Sequence, residues 1–316
     1  MRRSVVLALA VSLPLSALVL PTRARAVGSI PVLVSRATGA TGVKGNGQSP
    51  PPSAPPFDQN MPSVNGNGQF VVFTSTATNL DPADVNIDTD VYLRDLQNNT
   101  TELISRNAGG TKGNGGSFTY QSAISADGRY VVFVSSATNF DAADTDPGAD
   151  VYLRDRQMNT TTLLSRAGAA GVRGDSASIE AAISSDGTHV AFTSFADNLA
   201  TGDVDTTQDI IVRDLGTSVN TLVSRATGLA GTKALNGGLG PKLSATGQFV
   251  TFYSQSPGLD VADPGTNYQV YLRDVTGGLT TLISRQTGVA GTVASGFSGN
   301  GWVSDDGQRV TYSSQA

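Results

Sequence analysis

The sequence predicts an all-β fold, a β-propeller built from four-stranded antiparallel blades. Three observations carry that prediction. A long unit recurs: a turn glycine falls at Gly68, Gly128, Gly187, Gly247 and Gly307, in steps of 60, 59, 60 and 60. Each unit holds four short β-type runs and no helical periodicity. One of those runs, YVVFVSS at Tyr130 to Ser136, is apolar without alternation, which suits a strand covered on both faces.

The elements follow in order within one unit. Gln121 to Ser125 is expected as a short first strand and Tyr130 to Ser136 as the second. Val151 to Asp155 is expected as the third, and Thr161 to Arg166 as the fourth. Ala126-Asp127-Gly128 places glycine where positive φ is needed, and Gln157 to Thr160 is a polar hairpin turn. Asp95, Asp155, Asp214 and Asp274 close the third runs, and a Ser-Arg pair closes the units at Arg36, Arg106, Arg166, Arg225 and Arg285. The step of 70 from Arg36 to Arg106 absorbs a Pro-rich insertion at 49–57. Its P-x-x-P match reads as a stiff exposed loop. A β-sandwich would need no such period, and a parallel β-helix uses shorter coils.

Four units are complete, beginning at Met61, Gln121, Glu180 and Gly240. A fifth is assembled from Gly301 to Ser304, Arg309 to Ser314 and, as its outermost strand, Pro31 to Arg36. No equivalent of DVYLRD completes it. The expectation is therefore four complete blades plus one split or truncated blade, five or six in all, in a chain that is C-terminally incomplete.

Residues 1–26 have the three parts of a secretory signal peptide: Arg2 and Arg3, the apolar stretch Val5 to Leu20, and Ala24-Arg25-Ala26 for cleavage. The propeller domain is then 27–316. Cleavage removes four arginines (Arg2, Arg3, Arg23, Arg25) and no acid, taking the net charge from −5 to −9. So acidic a chain argues against nucleic acid or anionic lipid as partner. No apolar run beyond the signal is long enough to span a membrane. With no cysteine, the core alone must hold a secreted fold together. A secreted or periplasmic monomer is expected.

The residues S-x-D-G-[RT]-x-V-x-F-x-S, then D-[VI]-x-[VL]-x-D, then T-x-L-[IVL]-S, resemble the TolB-like or PD40-type, WD40-like propeller repeat. The resemblance covers Met61 onward. It implies a binding or scaffold module with protein partners in the envelope or outside the cell. Relatives of this kind include envelope scaffolds and the propeller domains of peptidases. The unit here is longer than the family's, by two extended loops per blade.

Those loops join strand two to three and strand four to one, and both are expected on one face, the natural place for function. The first carries acids at alternate positions: Asp84, Asn86, Asp88 and Asp90, then Asp144, Asp146 and Asp150, then Asp203, Asp205 and Asp209. Oxygen ligands so spaced suit calcium, and the spacing looks like the calcium loops of integrin-type propellers. Asp and Asn also cap turns through their own side chains, which explains the pattern without a metal. The fourth loop, at Asp263, Gly265, Asn267 and Gln269, has lost carboxylates. The glycine-rich loops around Lys44, Lys112 and Arg173 lack the pattern and the helix of a phosphate cradle and read as surface loops. Arg94, Arg154, Arg213 and Arg273 are expected to pair with neighbouring carboxylates. Trp302, Phe73, Phe133, Phe192 and Phe252 are expected in the core.

His189 is the sole histidine, so a Ser-His-Asp or Cys-His arrangement and a zinc site lack their parts. The expected function is non-catalytic binding, with no catalytic residue and no cofactor other than calcium. Two alternatives stay open: a carboxylate-based carbohydrate hydrolase or lyase, and a calcium-stabilised adhesion propeller.

Overall fold

The continuous apolar runs become the second strand of each four-stranded sheet, flanked on both sides within the sheet and buried on both faces. The computed structural model describes residues 32–49, 60–286 and 291–316. The signal segment and the Pro-rich insertion, Ser49 excepted, lie outside these residues.

The first sheet contains β1 Ser63–Val64, β2 Phe70–Ser75, β3 Asp90–Asp95 and β4 Thr100–Leu103. The second contains β5 Ser117–Phe118, β6 Tyr130–Ser135, β7 Asp150–Asp155 and β8 Thr160–Leu163. The third contains β9 Ser178–Ile183, β10 His189–Ser194, β11 Asp209–Asp214 and β12 Asn220–Leu222. The fourth contains β13 Leu239–Leu243, β14 Phe249–Ser254, β15 Gln269–Asp274 and β16 Leu279–Leu282. A last sheet pairs β17 Ser298–Val303 with β18 Val310–Ser314. Each four-stranded sheet is an antiparallel meander in chain order.

Turn-to-turn hydrogen bonds link the five sheets in succession. Asn65 Nδ2 donates to Ala126 O, Ala126 N to Ser185 O, Asp186 N to Ala245 O and Ala245 N to Asp305 O. These are the blades of a β-propeller, with first strands innermost. Residues Leu33 to Ala316 form one compact unit.

Packing between blades explains the turn glycines. At Gly128 φ is +76°, and a Cβ there would stand 2.2 Å from the Phe70 ring of the preceding blade. Within blades, Phe73 stacks on Tyr92, Phe133 on Tyr152 and Phe252 on Tyr271, with centroids 5.5–5.8 Å apart. Such pairs add about 1 kcal/mol each beyond their buried area. Phe192 is buried too, paired across the ladder with Ile211.

The structure departs from expectation in two places. Gln121 to Ser125 is not a strand. β5 pairs with the far half of β6, Ser122 takes φ +61°, and only Ile124 rejoins the ladder, opposite Val131. The inner edge bulges near the axis, where straight strands from all blades would collide. The same kink appears as positive φ at Glu180, Gly240 and Asn300. Second, residues 32–36 form no strand and no recorded ladder with β18. Pro31 lies outside the described residues, and Val34 packs against the first-blade cluster that holds Phe73, Leu80, Tyr92 and Leu103, as Ile104 packs against the second blade. Among the described residues, no helix is long and apolar enough to cross a membrane.

Candidate functional site

The acidic loops join the second and third strands, so a rigid hairpin carries each of them. In the first, Tyr92 donates its hydroxyl to Asp84, and Ser105 Oγ donates to Asp90 at 2.7 Å. Asn86 Nδ2 donates to Asp88 at 2.9 Å, so the middle of this loop bonds to itself. In the second loop Tyr152 donates to Asp144 and Ser165 to Asp150. In the third, Ser224 donates to Asp209. The serines of three Ser-Arg pairs, Ser105, Ser165 and Ser224, thus anchor the last acid of their own blade's loop.

A basic side chain enters each of these three loops. Lys112 Nζ lies 2.9 Å from Asp90. Arg173 spans Asp144, Asp146 and Asp150, at 3.9 Å from the first and 3.1 Å from the last. Lys233 Nζ lies 2.8 Å from Asp205, 2.7 Å from Asp209 and 3.9 Å from Asp203. These are the cations of the glycine-rich loops, and sequence reasoning missed their role. In the fourth blade Val293 occupies the cation's position and Gln269 the last acid's. There Ser284 donates to Gln269 Oε1 at 2.6 Å, and Gln269 Nε2 donates to Ala294 O at 2.9 Å. Charge and countercharge vary together within one chain.

Burial dominates the electrostatics. It pushes the Asp90, Asp150 and Asp203 carboxyls up to about 6, against the pull of the adjacent cations. Asp205, at the rim, is held down to about 2 by the Lys233 and Thr207 hydrogen bonds. For Lys233, burial opposes the ammonium, but Asp205 and Asp209 outweigh it and raise its pKa. Among the described residues, three acids bring oxygens within 4.8 Å of one another in the second and third loops. The first loop does not gather its acids this way.

The glycine-rich loops differ from expectation. Their first halves do not rise from the loop face but fold along the outer edge of the next blade. Thr161 Oγ1 donates to Arg106 O, and Asn159 Nδ2 to Ala108 O. Arg94, Arg213 and Arg273 grip these hooks directly, while Arg154 holds the Thr161 and Asn159 that bond the hook in its blade, so the expected carboxylate pairing is corrected. Arg273 donates to Ala226 O at 2.9 Å, Gly228 O at 2.8 Å, Gly278 O at 3.0 Å and Thr280 Oγ1 at 2.8 Å. Arg213 holds Arg166 O and Gly168 O, and Arg94 holds Ala37 O and Gly39 O, in the same way. A planar fork of donors fits several carbonyls at once.

At the axis, Tyr120, Gln121, Glu180, Lys242, Asn300 and Trp302 line a small cavity. Glu180 Oε2 accepts from Thr193 Oγ1 at 2.7 Å and from Gly240 N at 2.8 Å. It is the one carboxylate lining that cavity, so the acid pair of a carbohydrate-cleaving site is not found there among the described residues. Trp302 is 40% exposed rather than core, with Lys242 Nζ 5.5 Å from its ring centroid. His189 is half-buried beneath the Gly247 turn, and its Nδ1 lies 2.7 Å from Thr188 Oγ1.

No protein-family model matches the chain, and no curated protein matches it. Solved structures similar to it include TolB from Acinetobacter baumannii, at 19% identity and a TM-score of 0.47. That match covers 80% of this chain and 47% of TolB, so the chain spans about half of that protein's length. A putative TolB from Agrobacterium tumefaciens matches at 16% identity and TM-score 0.46, covering 81% and 69% of the two chains. The β-propeller domain of the Trilobed protease from Pyrococcus furiosus matches at 12% identity and TM-score 0.39, covering 82% and 77%.

Proposed function

We propose that this chain is a secreted or periplasmic propeller that binds a protein partner through its acidic loop face, without catalysis. One observation carries the reading. Val85, Ile87 and Val204 are each at least 80% exposed on the acidic loops, joined there by Val261, with Leu235 beside Lys233. Aliphatics this exposed, repeated on successive loops of one face beside carboxylates, offer an interaction surface. Asp88 and the half-exposed Asp146 and Asp205 stand among them, which favours a partner with a basic rim around an apolar centre.

The experiment places a photo-crosslinking residue at Val85 or Val204 and, as control, at Met158 on the opposite face. The chain is expressed with its leader in a secreting bacterial host. A discrete adduct from the loop-face positions that weakens with salt is expected. Equal labelling from Met158 would refute the face assignment. N-terminal sequencing of the exported protein, with a start near Val27 expected, tests the localisation separately.

A further inference from the structure

The third acidic loop differs from its counterparts in one respect. Tyr92, Tyr152 and Tyr271 donate their hydroxyls to the first carboxylate of their own loops, Asp84, Asp144 and Asp263. The equivalent residue on β11 is Ile211, paired with Phe192 as Tyr92 is with Phe73. It fills the core and donates nothing. Asp203 is 7% exposed, and neither of its oxygens meets a partner of hydrogen-bond geometry. The Asp205 N–H gives it only partial compensation. A buried carboxylate so placed is costly unless a cation serves it.

Lys233 serves it only at long range. Its ammonium sits off-centre, at 2.7–2.8 Å from Asp209 and Asp205 but 3.9 Å from Asp203. The three acids nevertheless bring oxygens within 4.8 Å of one another. Oxygens on opposite sides of a calcium ion, each about 2.3–2.6 Å from it, lie about that far apart. Thr207 Oγ1, 2.8 Å from Lys233 Nζ, adds a neutral oxygen to the set.

We propose that the third loop is a binding site for a hard divalent cation of the calcium class, held by Asp203, Asp205 and Asp209, with the Lys233 ammonium withdrawn towards solvent. A central ion would meet all three acids at short range, where the lysine meets two. Lysine suits the exchange because its charge rides on a long flexible stem. The second loop is closed to it: Tyr152 satisfies Asp144, and Arg173 pairs closely with Asp146 and Asp150. The first loop bonds to itself through Asn86, and the fourth has Gln269 and Val293 in place of acid and base. One ion per chain follows. This inference does not depend on the binding-module reading.

The test is calorimetric titration of the chelator-treated full chain with calcium chloride, each variant first checked for a cooperative melt. One equivalent should bind the wild type, and Asp203→Asn should abolish binding. Ile211→Tyr, which supplies the donor present in the other blades, should weaken it about tenfold or more, as loss of an outer-shell arrangement does. Lys233→Met should strengthen it. If Ile211→Tyr does not fold, the other two variants decide. Undiminished binding in Asp203→Asn, or no binding by the wild type, overturns the proposal. Binding confined to Lys233→Met overturns it as well, since lysine would then be the loop's permanent cation.

Discussion

The Lys233 ammonium and the Asp209 carboxylate meet at 2.7 Å across two separate loops, both side chains almost wholly buried. One repeat later the same two positions hold Val293 and Gln269, and both charges are gone. The fourth blade shows that the architecture tolerates the neutral pair. What it should not tolerate is one charge without the other.

The first blade offers a clean measurement of this. Lys112→Val leaves Asp90 buried and uncompensated and should cost about 3 kcal/mol in denaturant unfolding. The double variant Lys112→Val with Asp90→Gln copies the fourth blade and should return to within about 1 kcal/mol of wild type. Equal losses in the single and double variants would contradict the pairing.

The hooks give a second prediction. Arg273→Met leaves Ala226 O without its donor and takes one of two donors from each of Gly228 O and Gly278 O. A loss of about 2–3 kcal/mol is expected, from one unmet buried acceptor and the other hydrogen bonds removed. Amide exchange should accelerate in residues 226–231. Arg273→Lys should recover little, because an ammonium cannot span the same carbonyls. Full rescue by lysine would mean that charge, not the fork, holds the hook.

Stability should respond to pH through Asp150, whose carboxyl burial raises from 3.8 to about 6. The folded state then binds its proton more tightly than the unfolded chain does. This contribution is fully present below about pH 4 and is lost as pH rises through 6. The stability of Asp150→Asn relative to wild type should therefore improve between pH 4 and 7. A gap independent of pH over that window would show that the group titrates alike in both states.

The turn glycines separate two costs. Gly68 and Gly128 share positive φ, but a Cβ at Gly68 meets nothing within 4 Å while one at Gly128 runs into Phe70. Gly68→Ala should cost about 1 kcal/mol of backbone strain. Gly128→Ala should cost clearly more, since the ring between blades must move. Equal melting temperatures for the two variants would contradict this account of the blade contact.

Much of this was legible in the sequence. The repeat, the apolar second strands and the turn glycines reflect backbone and burial rules that act over a few residues. The acidic loops were legible too, as a periodic pattern. Their countercharges were not, because Lys112, Arg173 and Lys233 sit more than twenty residues downstream in stretches that read as plain glycine loops. A signal did exist: the one loop with glutamine for its last acid, at Gln269, is followed by valine, at Val293, where the others carry a cation. The arginines were misjudged for a related reason. Arg94 and its equivalents stand beside an Asp in sequence, but alternation along the strand sends neighbours to opposite faces, and the carbonyls that Arg94, Arg213 and Arg273 reach include ones of another blade. Ile211 looked like any aliphatic in a strand. Only the tyrosines at its equivalent positions, bonded to their acids, give its lack of a hydroxyl meaning.

The hooks also give assembly a direction. Each blade donates a strap that its successor fastens, directly through the arginine or, in the second blade, through the Thr161 and Asn159 that Arg154 holds, so every fastening needs the earlier blade to be present and the later one to be folded. A chain emerging amino-terminus first meets that order naturally. The strap from one blade is already made when the next reaches it, and folding can advance like a zip, one tooth closing on the last.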